Sequence, residues 1–421
     1  MKTLSMLVLA GLVVFAGCAR KEAAPTDTRR AVAMLDAHLS LGEAITVDNL
    51  TVWPVFTDAP LDLGEFLTLQ EAIEKEVAEV REVGGQSGQQ TAQVILVQEE
   101  MEEPEPETPE EEIIETPPLE TAEVNGNDAN DAFQGPGQNA AIGLGGGASV
   151  NTLVIENKSD LPILICAGTV VKGGNQDRQI GQDIVIKAGS SVPVDAFCVE
   201  QGRWNSQRLG EVTDGKFHGV STNAMIGVRT KGQYELAQNE VWEEVAKVKK
   251  SVITKINATP AAPPEQQALV VANSSLAIAQ DAYDMVTGKE IDALCAKVRT
   301  HFASFGQENA PVGFAYAVNG KPANVRSFAH SRVFSKQFDP FLRSMATEAM
   351  LADEIEHEAP LADQVVALVK EIQQAEEALR KTAAMNRNGV RENQKGYAAN
   401  CYVPAKDSEK EVVVTRDWTA K

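Results

Sequence analysis

The chain has 421 residues, which is enough for a sizeable core in one large domain or two smaller ones. Its formal charge of −22 argues against nucleic acid as a partner, because phosphate binding needs a basic face. Much of the imbalance lies in one segment, Glu99 to Glu123, which holds twelve Glu and no Lys or Arg, so the net charge says little about the rest.

The N-terminal residues have the pattern of an export signal. Lys2 gives a positive start, residues 4–16 form an apolar run too short to span a membrane, and small residues precede Cys18. The pattern resembles the bacterial lipobox, with Phe15 where Leu, Val or Ile is commoner. We expect residues 1–17 to be a lipoprotein signal peptide and Cys18 to carry acyl chains, palmitate among them, that anchor the protein to a membrane. The alternative is an ordinary signal peptide with a chance cysteine.

Ala19 follows the cysteine where an Asp would favour retention at the inner membrane. By resemblance to Gram-negative lipoproteins, this predicts a lipid-anchored protein of the cell envelope, in the outer membrane facing the periplasm. Residues 18–40 then form a tether between the lipid and the folded part.

Residues 41–86 are predicted to be the first part of an α+β domain. A strand-like stretch covers residues 45–56, with a turn at Asp48 and Asn49. A helix follows, with Thr68 as its N-cap and Glu71 completing a capping box. Apolar residues recur at helical spacing and predict one buried face: Leu69, Ile73, Val77 and Val80.

Residues 87–148 differ in composition, because Gly, Gln, Pro and Glu dominate there. Apart from a short apolar run at residues 92–97, which is compatible with a strand, the segment cannot bury enough apolar surface to offset its ordering entropy. We expect a low-complexity, disordered, acidic insertion that interrupts a single domain.

Residues 149–358 are predicted to be the main part of the domain. Two hairpins are expected, one joining residues 153–155 to 163–165 and one joining 184–186 to 192–199. Helices are expected at residues 239–252, 289–302 and 338–356, and a third hairpin at 312–327 with Asn319 and Gly320 at its tip. Residues 359–421 add a helix at 361–384 and a closing hairpin at 397–418, turning at residues 406–408. The predicted fold class is α+β, with antiparallel hairpins packed against several helices.

Two polar loops carry the candidate binding residues. The first contains Gln176, Asp177 and Arg178, and the second contains Glu200, Gln201, Arg203 and Trp204. Each loop follows a predicted strand and mixes Gly with Gln, an acid and Arg, whose guanidinium suits a carboxylate or phosphate. The loops could converge on a polar pocket for a ligand. The competing interpretation is a structural lock, in which the acids pair with the arginines and Trp204 covers the sheet.

Enzyme motifs are mostly missing from the sequence: it has no HExxH, GxSxG or Walker loop. Cys198, near Glu200, is a weak candidate nucleophile. Glu354 and His357 have the spacing of a helical metal pair, but a solvated acidic face is favoured, and neither a metal nor a cofactor is predicted. The cysteines that remain after lipidation are predicted to be buried thiols, with disulfide pairing left open: Cys166, Cys198, Cys295 and Cys401.

The order of these parts resembles the ARG and Rhodanese-Phosphatase-superfamily-associated protein domain family, a family of unknown function. The resemblance rests on LTLQEAIEKEVAEVREV, VIENKSDLPILICAG, the GGNQDR loop, FCVEQGRW, EVWEEV, VGFAYAVNGK and FLRSMATEAM. It covers about residues 40–86 and 149–350, with the closing hairpin to 418. The chain departs from the family in its acidic insertion and at Thr169, where members often carry an acid. The family name implies gene-neighbourhood links to ADP-ribosylglycohydrolases and no demonstrated activity.

The preferred functional hypothesis is a non-catalytic envelope lipoprotein that binds an unknown protein or small-molecule ligand. Its motivation is the anchor at Cys18, the acidic spacer and the lack of a complete catalytic constellation. The alternative is a hydrolase or transferase that uses Cys198 or Glu200, with Arg178 and Arg203 as anion clamps.

Overall fold

A computed structural model describes residues 32–83, 151–260, 262–353, 355–405 and 410–421. The predicted signal peptide, Cys18, the insertion at 87–148 with its apolar run, Glu354 and the turn at 406–408 lie outside these ranges. The end of the predicted tether lies inside them, and residues 33–34 and 39–41 form strands of a sheet.

Helices and strands make similar contributions to the described chain, and the strands pair mainly in the antiparallel sense. The strands are β1 (Ala33–Met34), β2 (Leu39–Leu41), β3 (Ile45–Val47), β4 (Leu50–Thr57), β5 (Leu67–Thr68), β6 (Ala78–Glu82), β7 (Thr152–Asn157), β8 (Ile163–Ile165), β9 (Thr169–Gly173), β10 (Arg178–Ile180), β11 (Ile184–Ile186), β12 (Ser191–Cys198), β13 (Gln207–Arg208), β14 (Glu211–Val212), β15 (Lys216–Asn223), β16 (Gly313–Val318), β17 (Lys321–Phe328), β18 (Ala378–Lys381), β19 (Arg387–Glu392), β20 (Gly396–Pro404) and β21 (Glu411–Ala420).

The helices are concentrated between β15 and β18. They are α1 (Leu69–Glu74), α2 (Ile226–Thr230), α3 (Gln238–Ala258), α4 (Pro264–Ala272), α5 (Leu276–Ala303), α6 (Ser331–Leu351) and α7 (Ala362–Gln373), with a π-helical segment at Lys231–Glu235 between α2 and α3. The predicted α+β class is therefore confirmed, and the predicted helices at 239–252, 289–302 and 338–356 correspond to α3, α5 and α6.

The largest sheet has the order β1-β2-β4-β16-β17-β21-β20-β19-β18, with β3 paired to β4. Its two faces bury different side chains, as alternation along a strand requires. On β16, Phe314 packs in the core formed with α5 and α6, whereas Ala315 packs in the core formed with α7. The predicted hairpin with Asn319 and Gly320 at its tip is β16–β17, and both tip residues have positive φ.

A closed six-stranded barrel, which the sequence interpretation did not include, stands beside this sheet. Its order is β10-β12-β7-β6-β15-β9, and its own apolar core includes Ile155, Val171, Ile180 and Val194. A three-stranded sheet, β11-β8-β5, packs with it and contains a parallel pair, β5 with β8. The barrel carries the two polar loops of the candidate site, since β10 and β12 are adjacent strands.

The first two predicted hairpins were wrong in their pairing. β7 does not pair with β8, nor β11 with β12; instead β7 pairs with β12 in the barrel, and β8 pairs with β11 in the small sheet. The segment between β7 and β8 and the segment between β11 and β12 each connect the barrel to the small sheet. They lie next to each other, and the buried side chain of Asn157 bridges them. Its Nδ2 donates to the carbonyls of Leu161, Ile186 and Lys187 at 2.8–3.3 Å. The turn-like residues of each segment therefore mark a crossing between sheets.

Three predicted helices extend too far at their C-terminal ends, and the one predicted at 338–356 ends at Leu351. The capping box of Thr68 and Glu71 is present, but α1 ends at Glu74, and left-handed Glu76 turns the chain into β6. The helix predicted at 361–384 ends at Gln373, because residues 378–381 form the edge strand β18. Glu377, inside the stretch predicted to be helical, accepts hydrogen bonds from Asn400 and Tyr402 on β20.

A buried ionic network joins the largest sheet to the barrel side of the molecule. Arg326 on β17 is fully buried and bonds Asp417 on β21, with Nη1 to Oδ2 at 2.9 Å, and Asp183, with Nη2 to Oδ2 at 2.5 Å. Arg229 on α2 lies 3.3 Å from Asp417, and Tyr234 donates its hydroxyl to the same carboxylate at 2.6 Å. Two buried carboxylates and two buried guanidiniums thus compensate one another across several elements.

Glu348 on α6 lies next to this network, and its raised pKa should make the stability of the protein depend on pH. Burial raises the pKa of Glu348 to about 7, although Tyr316 and the backbone N–H of Ile226 both donate to its carboxylate. The folded state therefore binds a proton more tightly than the unfolded chain, so this group's contribution to stability falls as the pH rises from about 4.5 to about 7. We expect Glu348→Gln to remove that pH-dependent component from the free energy of unfolding.

The measurement is urea denaturation of both proteins at pH 5 and pH 8. The free energy of unfolding of the Gln variant minus that of the wild type should be more positive at pH 8 than at pH 5. Exposed Glu356 provides the control, because Glu356→Gln should leave the pH profile unchanged. Parallel profiles for wild type and Glu348→Gln would contradict the assignment.

Candidate functional site

The two polar loops predicted from sequence lie side by side at one end of the barrel. Arg178 begins β10 and pairs with Cys198 at the end of β12, and the N–H of Val199 donates to the carbonyl of Asp177 at 3.0 Å. The first loop turns tightly at Gly173, where a Cβ would lie 2.4 Å from the carbonyl oxygen of Lys216. This backbone contact leaves no room for a side chain, which explains the glycine.

Asp177 is completely buried and accepts hydrogen bonds from several elements. Arg208 donates through Nε and Nη2 at 2.9–3.2 Å, and Ser275 at the start of α5 donates its hydroxyl at 2.6 Å. The N–H of Gly173 adds a bond at 2.9 Å. The carboxylate is thus fully engaged within the protein and ties the first loop to α5 and to the chain beyond the second loop.

Glu200 is the second buried carboxylate, and Arg203 holds it in a bidentate pair. Nε and Nη2 of Arg203 donate to its two oxygens at 2.8 and 2.7 Å. The same guanidinium donates to the carbonyls of Gly174 and Gly173 at 2.9 and 3.0 Å, so it bridges both loops. Such a planar fork fixes orientation in a way that a lysine could not.

Arg178 forms the third part of the cluster. Its guanidinium lies 3.4 Å from a carboxylate oxygen of Glu82 on β6 and also contacts the sulfur of Cys198. Trp204 covers it from outside, with its ring centroid 5.5 Å from the guanidinium carbon. One face of the indole therefore rests on a buried cation, while about half of the side chain stays exposed.

The predicted site residues fall into two groups. Gln176, Asp177, Arg178, Glu200 and Cys198 are buried, and Arg203 is partly buried. Arg203 pairs with Glu200 as the lock interpretation expected, whereas Arg178 pairs with Glu82 and Asp177 pairs with Arg208. Gln201 and Trp204 are exposed on the outer surface. Glu82, Arg208 and Ser275 were missed. Glu82 and Ser275 lie far from the GGNQDR and CVEQGRW motifs in sequence, and no local pattern marks Arg208, four residues after Trp204.

The four described cysteines are buried free thiols. Burial raises the pKa of Cys198 to about 11 and that of Cys166 to about 12, so at neutral pH both are protonated. The sequence left open whether these cysteines are free thiols or form disulfides, and in the structure all four are free thiols.

In the described part of the chain, no group of three or more His, Cys, Asp or Glu side chains could hold a metal ion. Glu354 lies outside that part, and His357 lies beyond the end of α6 in a segment that is not helical. Among the described residues, no helix has the length and apolar composition needed to cross a bilayer.

A small hairpin, β13–β14, is held by the ion pairs of Arg203 with Glu200 and of Arg208 with Asp177. We call it the Trp204 hairpin (residues 203–213). Its turn at Leu209 and Gly210 has positive φ at both positions, as a tight two-residue connection requires. Thr213 at its far end donates its hydroxyl to the carbonyl of Gly174 at 2.9 Å. Three large apolar side chains point outward from it, with exposures of 49–61%: Trp204, Leu209 and Val212.

A second surface feature lies beside the same loop, and we call it the α3 groove. It has a volume of about 300 Å³ and is lined by Gln201, Ser274 and the face of α3 that carries Trp242, Lys249, Lys250 and Ile253. Burial lowers the pKa of Lys249, and no carboxylate in the described part of the chain offsets this effect. The groove thus combines apolar walls with two cationic groups.

Comparison with known proteins gave one result at the level of protein families. A model described as ARPP-1, the ARG and Rhodanese-Phosphatase-superfamily-associated Protein domain, matches residues 122–415, which is more than half of the chain. No curated protein and no solved structure matches. The matched range includes both polar loops, the Trp204 hairpin and the α3 groove.

Proposed function

The chain belongs to the ARPP-1 family, the ARG and Rhodanese-Phosphatase-superfamily-associated Protein domain, and we propose that it is a non-catalytic binding domain of the cell envelope. In this proposal a lipid on Cys18 anchors it to a membrane, and the Trp204 hairpin binds a protein partner. The exposed, rigidly held apolar group of Trp204, Leu209 and Val212 is the observation that carries the proposal.

The physical argument is preorganisation. Apolar side chains on a mobile loop would lose entropy on binding, whereas this hairpin is already fixed by Arg203 on Glu200 and by Arg208 on Asp177. Tryptophan is the residue most enriched at binding hot spots, and here its inner face is already packed on Arg178. Exposed Glu211 lies between Leu209 and Val212, and a carboxylate at that position disfavours insertion into a bilayer and favours a protein surface.

The enzymatic alternative is less well supported by the same geometry. Cys198 is buried with a raised pKa, and Glu200 already accepts two bonds from Arg203. Arg178 and Arg203 donate to groups of the protein itself, so their use as anion clamps would require the cluster to open. If the wild type acted on a substrate and Cys198→Ala lost that activity, the enzymatic alternative would be favoured.

The test is photo-crosslinking in cells that make the full chain, with the crosslinking amino acid placed at position 209. Met285 is the control position, because it is highly exposed but isolated on α5. We expect one distinct protein adduct from position 209 and none of that size from position 285. Adducts only with lipid, only with a second copy of this chain, or equal patterns from both positions would overturn the protein-partner proposal.

The anchor is tested separately by fractionation of the same cells. The wild type should sediment with membranes, and Cys18→Ala should be released by the treatment that frees periplasmic proteins. A Cys18→Ala chain that stays with the membrane fraction would overturn the anchor, with no consequence for the hairpin.

A further inference from the structure

The second half of α3 is basic, a feature that the proposed function does not use. From residue 245 to residue 264 the chain has no acid, while lysines recur there. Two of these lysines are engaged, because Lys247 pairs with Glu244 at 2.5 Å and Lys255 donates to the backbone carbonyl of residue 352. In the described part of the chain, Lys249 and Lys250 form no ion pair. Both of them line the α3 groove.

The wall of the groove is mainly apolar. Trp242, Val245, Ala246 and Ile253 recur at helical spacing and line it along one face of α3. The two lysines add aliphatic stems to such a wall while their ammonium groups stay in water. The indole N–H of Trp242 is buried and has no acceptor among the described residues. The groove thus combines apolar surface with donors that lack acceptors, which suits an amphiphilic anion.

One end of the groove is held by the second polar loop. Glu200 and Ser275 form an isolated antiparallel β-bridge, which brings the neighbouring residues Gln201 and Ser274 close together. Both Gln201 and Ser274 line the groove. Ser275 also donates its hydroxyl to the buried carboxylate of Asp177 at 2.6 Å. This end of the groove is therefore fixed before a ligand arrives, so binding there costs little ordering entropy.

The volume of the groove limits the size of its ligand. At about 30 Å³ for each water-sized group, about 300 Å³ holds about ten non-hydrogen atoms. We propose that the α3 groove binds a small amphiphilic anion, with a short aliphatic chain on the apolar wall and a single carboxylate or phosphate-ester headgroup against Lys249 and Lys250. This site is separate from the Trp204 hairpin and does not depend on whether the hairpin binds a partner.

The charges favour an anion that is free in solution over the surface of a membrane. Burial lowers the pKa of Lys249, and an anion beside it would stabilise its charged form. An anionic bilayer, in contrast, would have to approach a chain with a net charge of −22. The first half of α3 would add to the repulsion, because it carries Glu240, Glu243 and Glu244.

The experiment is calorimetric titration of the full chain with octanoate, octyl phosphate and 1-octanol, which share one alkyl chain and differ in charge. The protein is purified as Cys18→Ala, so that no detergent competes for the groove. We expect at least one of the two anions to bind at least about tenfold more tightly than 1-octanol, because only the anions gain from the lysines. The anion that binds more tightly identifies the headgroup.

Three variants make the test specific to the groove. Lys249→Gln combined with Lys250→Gln should abolish the preference for the anions over 1-octanol. Lys247→Gln is the matched control on the same helix and should keep that preference, because Lys247 pairs with Glu244. Ala246→Trp, at an exposed position of the wall, should fill the groove and weaken binding of all the ligands.

Several results would overturn the proposal. These are no binding of either anion, equal affinity for the anions and 1-octanol, or the same loss in Lys247→Gln as in the double variant. Unchanged affinity in Ala246→Trp would place the ligand elsewhere. Inorganic phosphate that bound as tightly as the amphiphilic anions would exclude a role for the apolar wall. Binding only to vesicles that contain anionic lipid would show that the partner of the lysines is a membrane.

Discussion

Replacing Arg326 with alanine is expected to lower the free energy of unfolding by about 3–5 kcal/mol. The reason is that its removal would leave Asp183 and Asp417 buried with only part of their positive partners. Arg229 would still face Asp417, at 3.3 Å, but the bonds of Arg326 to Asp183 would be lost completely. Because Asp183 precedes β11 and Asp417 lies on β21, the loss would weaken the joint between the largest sheet and the barrel side.

Chemical denaturation at neutral pH measures this effect directly. Arg332 is the matched control, because it forms an ion pair with Asp62 at 2.6 Å on the surface, with both side chains more than half exposed. Arg332→Ala should cost less than about 1 kcal/mol. A loss below 1 kcal/mol for Arg326→Ala would mean that the buried network does not hold the two parts together.

The second large effect is expected at Asp177. Asp177→Ala should cost about 3–5 kcal/mol, because Arg208 and Ser275 would lose their shared acceptor in a buried site. It should also release the Trp204 hairpin, whose base depends on the Arg208 bond. We therefore expect limited proteolysis to cut the variant within residues 203–213 at conditions under which the wild type is resistant.

The control for that experiment lies on the hairpin itself. Glu211 is exposed on β14, so Glu211→Ala changes the charge of the hairpin without touching its attachment. Both its stability and its protease resistance should match the wild type. If Asp177→Ala were as stable and as resistant as Glu211→Ala, the carboxylate would not be the structural lock that its contacts indicate.

The parts of the fold that the sequence predicted well depend on local chemistry. The capping box at Thr68 and Glu71 and the Asn319–Gly320 turn are each specified by neighbouring residues, and both are present. The same reasoning failed where partners are remote. Asn157 lies between two stretches that were predicted to form a hairpin, but its amide joins two segments that are about 30 residues apart in sequence. Closure of the barrel has no local signature either.

The candidate site shows the same division. The motif residues around Asp177 and Glu200 could be recognised as two loops that come together, because each follows a strand and is rich in Gly, Arg and acids. Glu82 and Ser275 could not be assigned to the cluster, because only the folded chain brings them there, and nothing in the local sequence distinguished Arg208. The charges of the cluster pair with one another, so the cluster holds the two loops together. The surface that it presents to solvent is the Trp204 hairpin.

The most direct test of the central claim is photo-crosslinking from position 209 with Trp204 either intact or replaced by alanine. Trp204 is half exposed and its backbone is held by Arg203 and Arg208, so Trp204→Ala should leave the protein folded while removing the largest apolar contact of the hairpin. We predict that the yield of the protein adduct falls by at least about tenfold, with unchanged stability. An unchanged yield in the folded variant would show that the hairpin is not the binding surface.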